Sequence, residues 1–375
     1  MPLAKAVVQL LAATMFAICI SVSGQTAMPV VMLSDIHFDP FHDPAKVAQL
    51  RQQPIERWPA ILNAAASPTQ AADLQALQTN CHAHALDTAW PLLKSTLQAA
   101  HDAEPHPLFV TLAGDLLTHE FPCRFVHLNP GTTPEDVSAF SAKTVAFVMA
   151  QLHETFPHSP VYGSLGNNDS GCNDYHETPG DSFLTAAAAS LRTAADAKPI
   201  SMTPEGDYSV TMPAPMEHTR LVVLEDVFES RQFTTCSGES DRNPEKAQID
   251  WLRTQLTEAR AANEHVWVMS HIPPGIDVYT SFRHYLFQPA EMCKADPRSF
   301  LADTTLPDAL LDYADVVRLA LFGHTHMDEL RLLHRSAPPA PAGAAPATET
   351  AIPAKLVPSV SPYVGNHPAF LVASV

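Results

Sequence analysis

Val30-Val31-Met32-Leu33-Ser34-Asp35-Ile36-His37 decides how this chain is read: an unbroken apolar run, then a carboxylate and an imidazole two residues apart. A short apolar run without alternation suits a strand buried on both faces, as in a parallel sheet covered by helices. The pattern recurs along the chain. Residues 108–112 lead into Gly114-Asp115, and 161–165 lead into Gly166-Asn167-Asn168-Asp169. Residues 266–269 lead into Ser270-His271, and 316–322 lead into Gly323-His324-Thr325-His326. A further run at 221–224 reads as a strand without a polar block.

Helical segments separate these runs. One starts near Asp87 or Thr88, with Pro91 in its first turn and Leu93 and Leu97 facing inward. A second opens at Thr133-Pro134-Glu135-Asp136, an N-cap followed by proline and acids. Val137, Phe140, Phe147, Val148 and Leu152 line one side of it. A third opens at Asn243-Pro244 and repeats Ile249, Leu252, Leu256 and Ala259 at helical spacing. Strands alternating with helices make the fold class α/β and layered. Three stretches break the rhythm: 38–84, which reads as an insertion with short helices; 170–207, with an alanine-rich helix; and 336–348, a Pro/Ala-rich mobile loop.

Ligands in open α/β sheets bind beyond the carboxyl ends of the strands, so the five polar blocks converge on one edge. Together they supply Asp35, His37, Asp115, Asn167, His271, His324 and His326. Oxygen and imidazole donors in this mixture suit Zn, Mn or Fe. Asp115 is the natural bridge between two ions, since a carboxylate has two oxygens to share. Two ions about 3.5–4 Å apart would activate a bridging water and stabilise the attacking and leaving oxygens of an in-line displacement. Singly, each block has a plainer reading, as a helix cap, a turn or a packed histidine. Their joint occurrence carries the two-metal expectation.

With 375 residues the chain is long enough for one large domain, expected over 25–375. Its net charge of −18, from 40 acidic and 22 basic residues, disfavours nucleic-acid polymers and anionic lipid. Lys5, an apolar stretch over 6–20 and the small residues Val22-Ser23-Gly24 read as a signal peptide over 1–24. The implied location is periplasmic or secreted, with no stable membrane insertion. Beyond Cys19, the five cysteines Cys81, Cys123, Cys172, Cys236 and Cys293 should pair and leave one free. Sequence does not choose among the pairings, and no C-x-x-C supports a thiolate metal site.

The blocks resemble the signature of the calcineurin-like metallophosphoesterase superfamily, and more narrowly of the acid sphingomyelinase-like phosphodiesterases. Ser34-Asp35-Ile36-His37-Phe38-Asp39, Gly114-Asp115 with His119 four residues on, His271-Ile272-Pro273-Pro274-Gly275 and Gly323-His324-Thr325-His326-Met327-Asp328 carry the resemblance. The late segments 358–362 and 366–370 add to it, so that it covers residues 28–370. It implies a four-layer α/β/β/α sandwich. It also implies an exported enzyme that cleaves a phosphodiester by attack of a metal-bridging hydroxide, with an acidic pH optimum. Asp35, His37, Asp115 and His326 would hold one metal, and Asp115, Asn167, His271 and His324 the other. His119 would serve catalysis beside the phosphate. Asn168 stands where the family usually has a second catalytic histidine that contacts the phosphate, and is the second candidate catalytic residue: an amide can hydrogen-bond a phosphate oxygen but cannot donate a proton as imidazolium does. The Gly-Asn-Asn-Asp block is similar to that of fungal endopolyphosphatases, which gives the alternative of a phosphomonoesterase or polyphosphatase. The saposin domain and the C-terminal helical region of acid sphingomyelinase have no counterpart in the sequence. A small soluble phosphoester is therefore the expected substrate. A non-catalytic binding protein on a decayed fold is the reading from another class, and the full set of seven ligands argues against it.

Overall fold

The computed structural model describes residues 27–195, 201–281, 297–335 and 350–375. The expected signal peptide, Cys19, Cys293 and the loop 336–348 lie outside the described residues.

The apolar runs form two sheets. In the first, β1 (Pro29–Leu33), β2 (Val110–Ala113) and β3 (Val161–Ser164) are parallel, and the C-terminal β10 (Leu371–Ser374) pairs antiparallel with β1. In the second, β5 (Thr219–Val223), β6 (His265–Met269), β7 (Val317–Phe322) and β9 (Thr350–Leu356) are parallel. That sheet is edged antiparallel by β4 (Tyr208–Thr211) and β8 (Glu329–Arg335).

Alternation along each strand builds the layers. Val30 and Met32 face the second sheet, and they meet Leu221, Val223, Trp267, Met269 and Leu321 in one buried cluster. Val31 and Leu33 face the other way. They pack in a second cluster with residues of α4 (Trp90–Ala103), α6 (Pro134–Thr155) and α7 (Ser182–Ala194). On the far side of the second sheet, Val222, Val266 and Val268 pack on α8 (Asn243–Ala262) and α9 (Thr305–Leu311). The order of layers is helix, sheet, sheet, helix, the four-layer sandwich expected above. The N-cap expected at Thr133 forms, and Asp136 completes it as a capping box.

Residues 38–84 contain α1 (Val47–Gln52), α2 (Trp58–Asn63) and α3 (Gln70–Asn80). They pack on α6. Trp58 is fully buried against Phe140 and Phe147, and Lys143 Nζ donates to the carbonyls of Leu50 and Arg51 at 2.9 Å. The disulfide Cys81–Cys123 ties the end of this insertion to α5 (Phe121–Leu128), and Cys172–Cys236 closes a second loop. The helix expected near Asp87 or Thr88 begins at Trp90, with Ala89 as its cap and Pro91 in its first turn, and the Asp87 carboxylate is engaged elsewhere. Among the described residues no helix is long and apolar enough to cross a membrane.

Candidate metal centre

All five blocks leave the carboxyl ends of parallel strands: Asp35 after β1, Asp115 after β2, Asn167 after β3, His271 after β6 and His324 after β7. The turns are tied to one another. Asp35 N–H donates to Gly114 O at 3.0 Å, His37 N–H to Asp115 O at 2.9 Å and Gly323 N–H to His271 O at 3.0 Å. Among the described residues nine non-glycine residues have positive φ, and five are Asp35, His37, Asp115, His324 and His326. Left-handed backbone at such residues costs on the order of 1–3 kcal/mol each and clusters at functional sites. Two glycines allow the close approach. A Cβ on Gly323 would lie 2.0 Å from Ser34 Oγ and 2.7 Å from Asp35 Oδ2, and one on Gly166 would lie 2.4 Å from Asp115 Oδ1.

The side chains converge. Asp115 Oδ2 lies 3.3 Å from His37 Nε2 and 3.2 Å from His271 Nε2. On one side, His37 Nε2 faces His326 Nε2 at 3.2 Å, and Asp35 Oδ1 lies 3.4 Å from His326 Nε2. On the other, His271 Nε2 faces His324 Nδ1 at 3.3 Å. Asp35, His37 and Asp115 make one group of close donors, and Asp115, His271 and His324 make another.

The surroundings leave acceptors aimed inward. His37 Nδ1 donates to Leu117 O at 2.9 Å and His271 Nδ1 to Ala113 O at 2.7 Å, because a carbonyl only accepts. In the neutral ring each Nε2 is then a bare lone pair pointing into the cluster. Asn167 Nδ2 donates to Asp174 Oδ1 at 2.7 Å, and its Oδ1 is buried without a hydrogen-bond partner. The facing imidazole nitrogens and the unpartnered Asn167 Oδ1 are a poor arrangement for protein alone, and they fit cations.

Charge tells the same story. Burial and the neighbouring Asp115 push Asp35 up to about 7, although His271 opposes them. Burial, reinforced by the charge of His119, presses His37 down to about 4. Burial and His271 take His324 down to about 3. Burial would lower His271 too, but the charge and hydrogen bond of Asp115 outweigh it and raise it to about 10. Protons and cations compete for this cluster, and metal binding releases the protons.

His119 sits at its edge. Its ring is stacked between His37, with centroids 4.1 Å apart, and Tyr363 at 3.7 Å. Its Nδ1 lies 3.1 Å from Asp87 Oδ2. Asp87 also accepts from Thr118 Oγ1 at 2.7 Å, Ser361 Oγ at 2.8 Å and the His119 N–H at 3.0 Å. Burial disfavours the imidazolium, yet Asp87 outweighs it and raises the His119 pKa.

Asp35, His37, Asp115, His271, His324, His326 and His119 thus lie together, and Asn167 stands at the end of β3 with its Oδ1 buried and unpartnered. Asn168 lies beside them: its backbone N–H and its Nδ2 donate to the two oxygens of Asp115, both at 2.9 Å. Asp169 turns away from the cluster. Its carboxylate accepts from the N–H groups of Leu116, Leu117 and Gly166, which binds the second and third blocks together. Asp226 does the same for His271 and Ile272. Sequence reasoning missed Asp87, Asp174, Tyr175, Asp226 and Tyr363, since a lone carboxylate or tyrosine in a loop carries no spacing signal.

The calcineurin-like phosphoesterase family model matches residues 28–328. Human acid sphingomyelinase-like phosphodiesterase 3b is 24% identical over 254 residues, which cover 67% of this chain and 50% of that protein. The human cyclic GMP-AMP phosphodiesterase SMPDL3A is 23% identical over 206 residues, 52% of this chain and 41% of that protein. The chain spans about half the length of the curated relatives it matches. A dimetal phosphatase from Danio rerio superposes with a TM-score of 0.45 at 13% identity, over 93% of this chain and 92% of that one.

Proposed function

The chain belongs to the calcineurin-like phosphoesterase family, and we propose that it is an exported two-metal phosphodiesterase acting on a small soluble phosphoester. One observation carries the reading. Asp115 Oδ2 stands within 3.3 Å of both His37 Nε2 and His271 Nε2, where a shared carboxylate would bridge two cations. Asp35, His37, Asp115 and His326 would hold one ion, and Asp115, Asn167, His271 and His324 the other. Imidazole with hard oxygen donors suits Zn, Mn or Fe. When bound, the ions supply an activated water and the positive charge that displacement at phosphorus needs.

The chain's own residues do the rest. Asp87 holds His119 through Nδ1, so the ring presents Nε2 to a substrate as a proton donor to the leaving oxygen. Tyr363 and His37 fix the plane of that ring. Asn168 braces the bridging carboxylate and carries no proton to give, so protonation of the leaving group falls to His119. Both curated relatives are named as phosphodiesterases, which supports the diester. The amide at Asn168 supports a second reading, phosphomonoester or polyphosphate hydrolysis at the same site. Two disulfides support an oxidising compartment and hence export.

The test is elemental analysis of purified protein, with hydrolysis of bis-p-nitrophenyl phosphate and p-nitrophenyl phosphate before and after chelation. About two equivalents of metal and chelator-sensitive diester cleavage are expected. Preference for the monoester selects the second reading. Failure to bind metal even on reconstitution overturns both.

A further inference from the structure

The candidate ligands are fixed from outside in two different ways. His37 Nδ1 and His271 Nδ1 donate to the carbonyls of Leu117 and Ala113, so backbone at and just after the end of β2 sets both rings. Asn167 and His324 lean instead on side chains of one short loop. Asn167 Nδ2 donates to Asp174 Oδ1 at 2.7 Å, and its backbone carbonyl accepts from Tyr175 N–H at 2.9 Å. A carboxylate takes only the NH2 end of an amide, so Asp174 turns Asn167 Oδ1 the other way, where it is buried and unpartnered. His324 Nδ1 faces His271 Nε2 at 3.3 Å, and its Nε2 lies 3.4 Å from Tyr175 Oη.

That loop has its own anchors. The disulfide Cys172–Cys236 joins it to the segment before α8. Thr234 N–H donates to Tyr175 O at 3.2 Å, and Glu177 N–H donates to Thr234 O at 3.1 Å. Ser170 Oγ accepts from the N–H groups of Cys172 at 3.0 Å and Asn173 at 3.3 Å. Two adjacent residues, Asp174 and Tyr175, thus reach two ligands that leave different sheets, Asn167 after β3 and His324 after β7. Both ligands fall in one set, Asp115, Asn167, His271 and His324. Among the described residues, the loop sends no hydrogen bond to Asp35, His37 or His326 of the other set.

We propose that Asp174 and Tyr175 are positioning residues for one of the two cations, acting through Asn167 and His324, and that the Cys172–Cys236 loop delivers them. Hydrogen-bond partners of this kind set the orientation and basicity of a metal ligand. Asp174 places an anion behind a neutral amide donor. Tyr175 takes the outer N–H of His324, which leaves Nδ1 bare toward the cluster. Binding of this ion is then linked to an intact loop, while the body of the fold holds the other. The inference rests on the two-metal phosphoesterase reading and names the residues that make its two sites unequal.

The experiment titrates chelator-treated protein with zinc and follows the two binding steps by calorimetry, with hydrolysis of both nitrophenyl esters measured on the loaded samples. Asp174→Ala should weaken one step by about 10–100-fold and leave the other unchanged. Asp174→Asn, which keeps an acceptor oxygen, should recover most of that loss. Tyr175→Phe, and Cys172→Ser with Cys236→Ser, should weaken the same step. Adding Asp174→Ala to Asn167→Ala should cost that step nothing further, because Asp174 acts through Asn167. Equal weakening of both steps, no weakening of either, or full additivity with Asn167→Ala overturns the positioning role, while two bound ions and ester hydrolysis leave the phosphoesterase reading standing. Selective weakening in a protein that cleaves neither ester upholds the positioning role and overturns that reading. A wild type that takes up no zinc overturns both.

Discussion

Glu225 offers a sharp test of how this fold handles buried acid. It is 2% exposed, and neither carboxylate oxygen has a hydrogen-bond partner. The groups facing it are Glu177, Asp226, Asp169 and Asp207, all acidic. Burial first, and these neighbours next, push its pKa well above the usual carboxylate range. Glu177 is raised for the same reasons, and burial lifts Asp207 to about 7. A carboxyl raised on folding is protonated in the native state while its unfolded counterpart is ionised. Its contribution is fully present below its ordinary pKa of 4.5 and is lost as pH climbs toward the folded value. The slope is at most about 1.4 kcal/mol per pH unit for each such group.

Glu225→Gln replaces the carboxyl with a neutral group of the same shape and removes this one titration. Relative to wild type, the variant should be of similar stability at pH 5 and gain up to about 3 kcal/mol by pH 7, which is two pH units of that slope. Urea unfolding of both proteins at pH 5, 6 and 7 reads the difference, and metal-linked pH effects common to both cancel. A stability gap that stays constant across this range, or that moves against the variant as pH rises, refutes the reasoning.

Asp87→Asn should lower diester turnover by about 10²–10⁴-fold, the range of general acid catalysis, with a larger loss for alkyl than for nitrophenyl leaving groups; an equal loss for both would remove His119 from leaving-group protonation. Gly323→Ala drives a methyl to within 2.0 Å of Ser34 Oγ, so the purified variant should carry markedly less metal than wild type by elemental analysis. Cys172→Ser with Cys236→Ser opens a link of sequence separation 64, worth about 4 kcal/mol by loop entropy, and calorimetry should show a lower Tm that reducing agent no longer shifts through this bond.

The parts of the fold that were legible are those whose physics is local. Strands β1, β2, β3, β5, β6 and β7 announce themselves as apolar runs because both faces are dry. The others do not. In the edge strands β8 and β10 alternate residues are exposed, and β9, between β7 and β8, carries Pro353, so none offers a continuous run. The ligand blocks were legible because metal chemistry restricts residue types and two-residue spacing keeps both donors on one turn. The role of Asp87 is not legible for the converse reason. Its local context marks only the neighbourhood of a helix start, while its partners Thr118, His119 and Ser361 lie 31, 32 and 274 residues away.

That contrast has a thermodynamic side. Five ligand-block residues hold left-handed backbone, and Asp169 and Asp226 keep the turns in place by accepting N–H bonds from the neighbouring loops. The device concentrates further negative charge around Asp35 and Asp115, which are themselves 0% and 2% exposed. Buried carboxylates repel one another unless protons or cations intervene. The anions that brace the ligand turns thus raise the demand for cations at the centre of the site. Metal binding and the ordering of these turns should then be one coupled equilibrium, in which chelation lowers Tm as well as turnover.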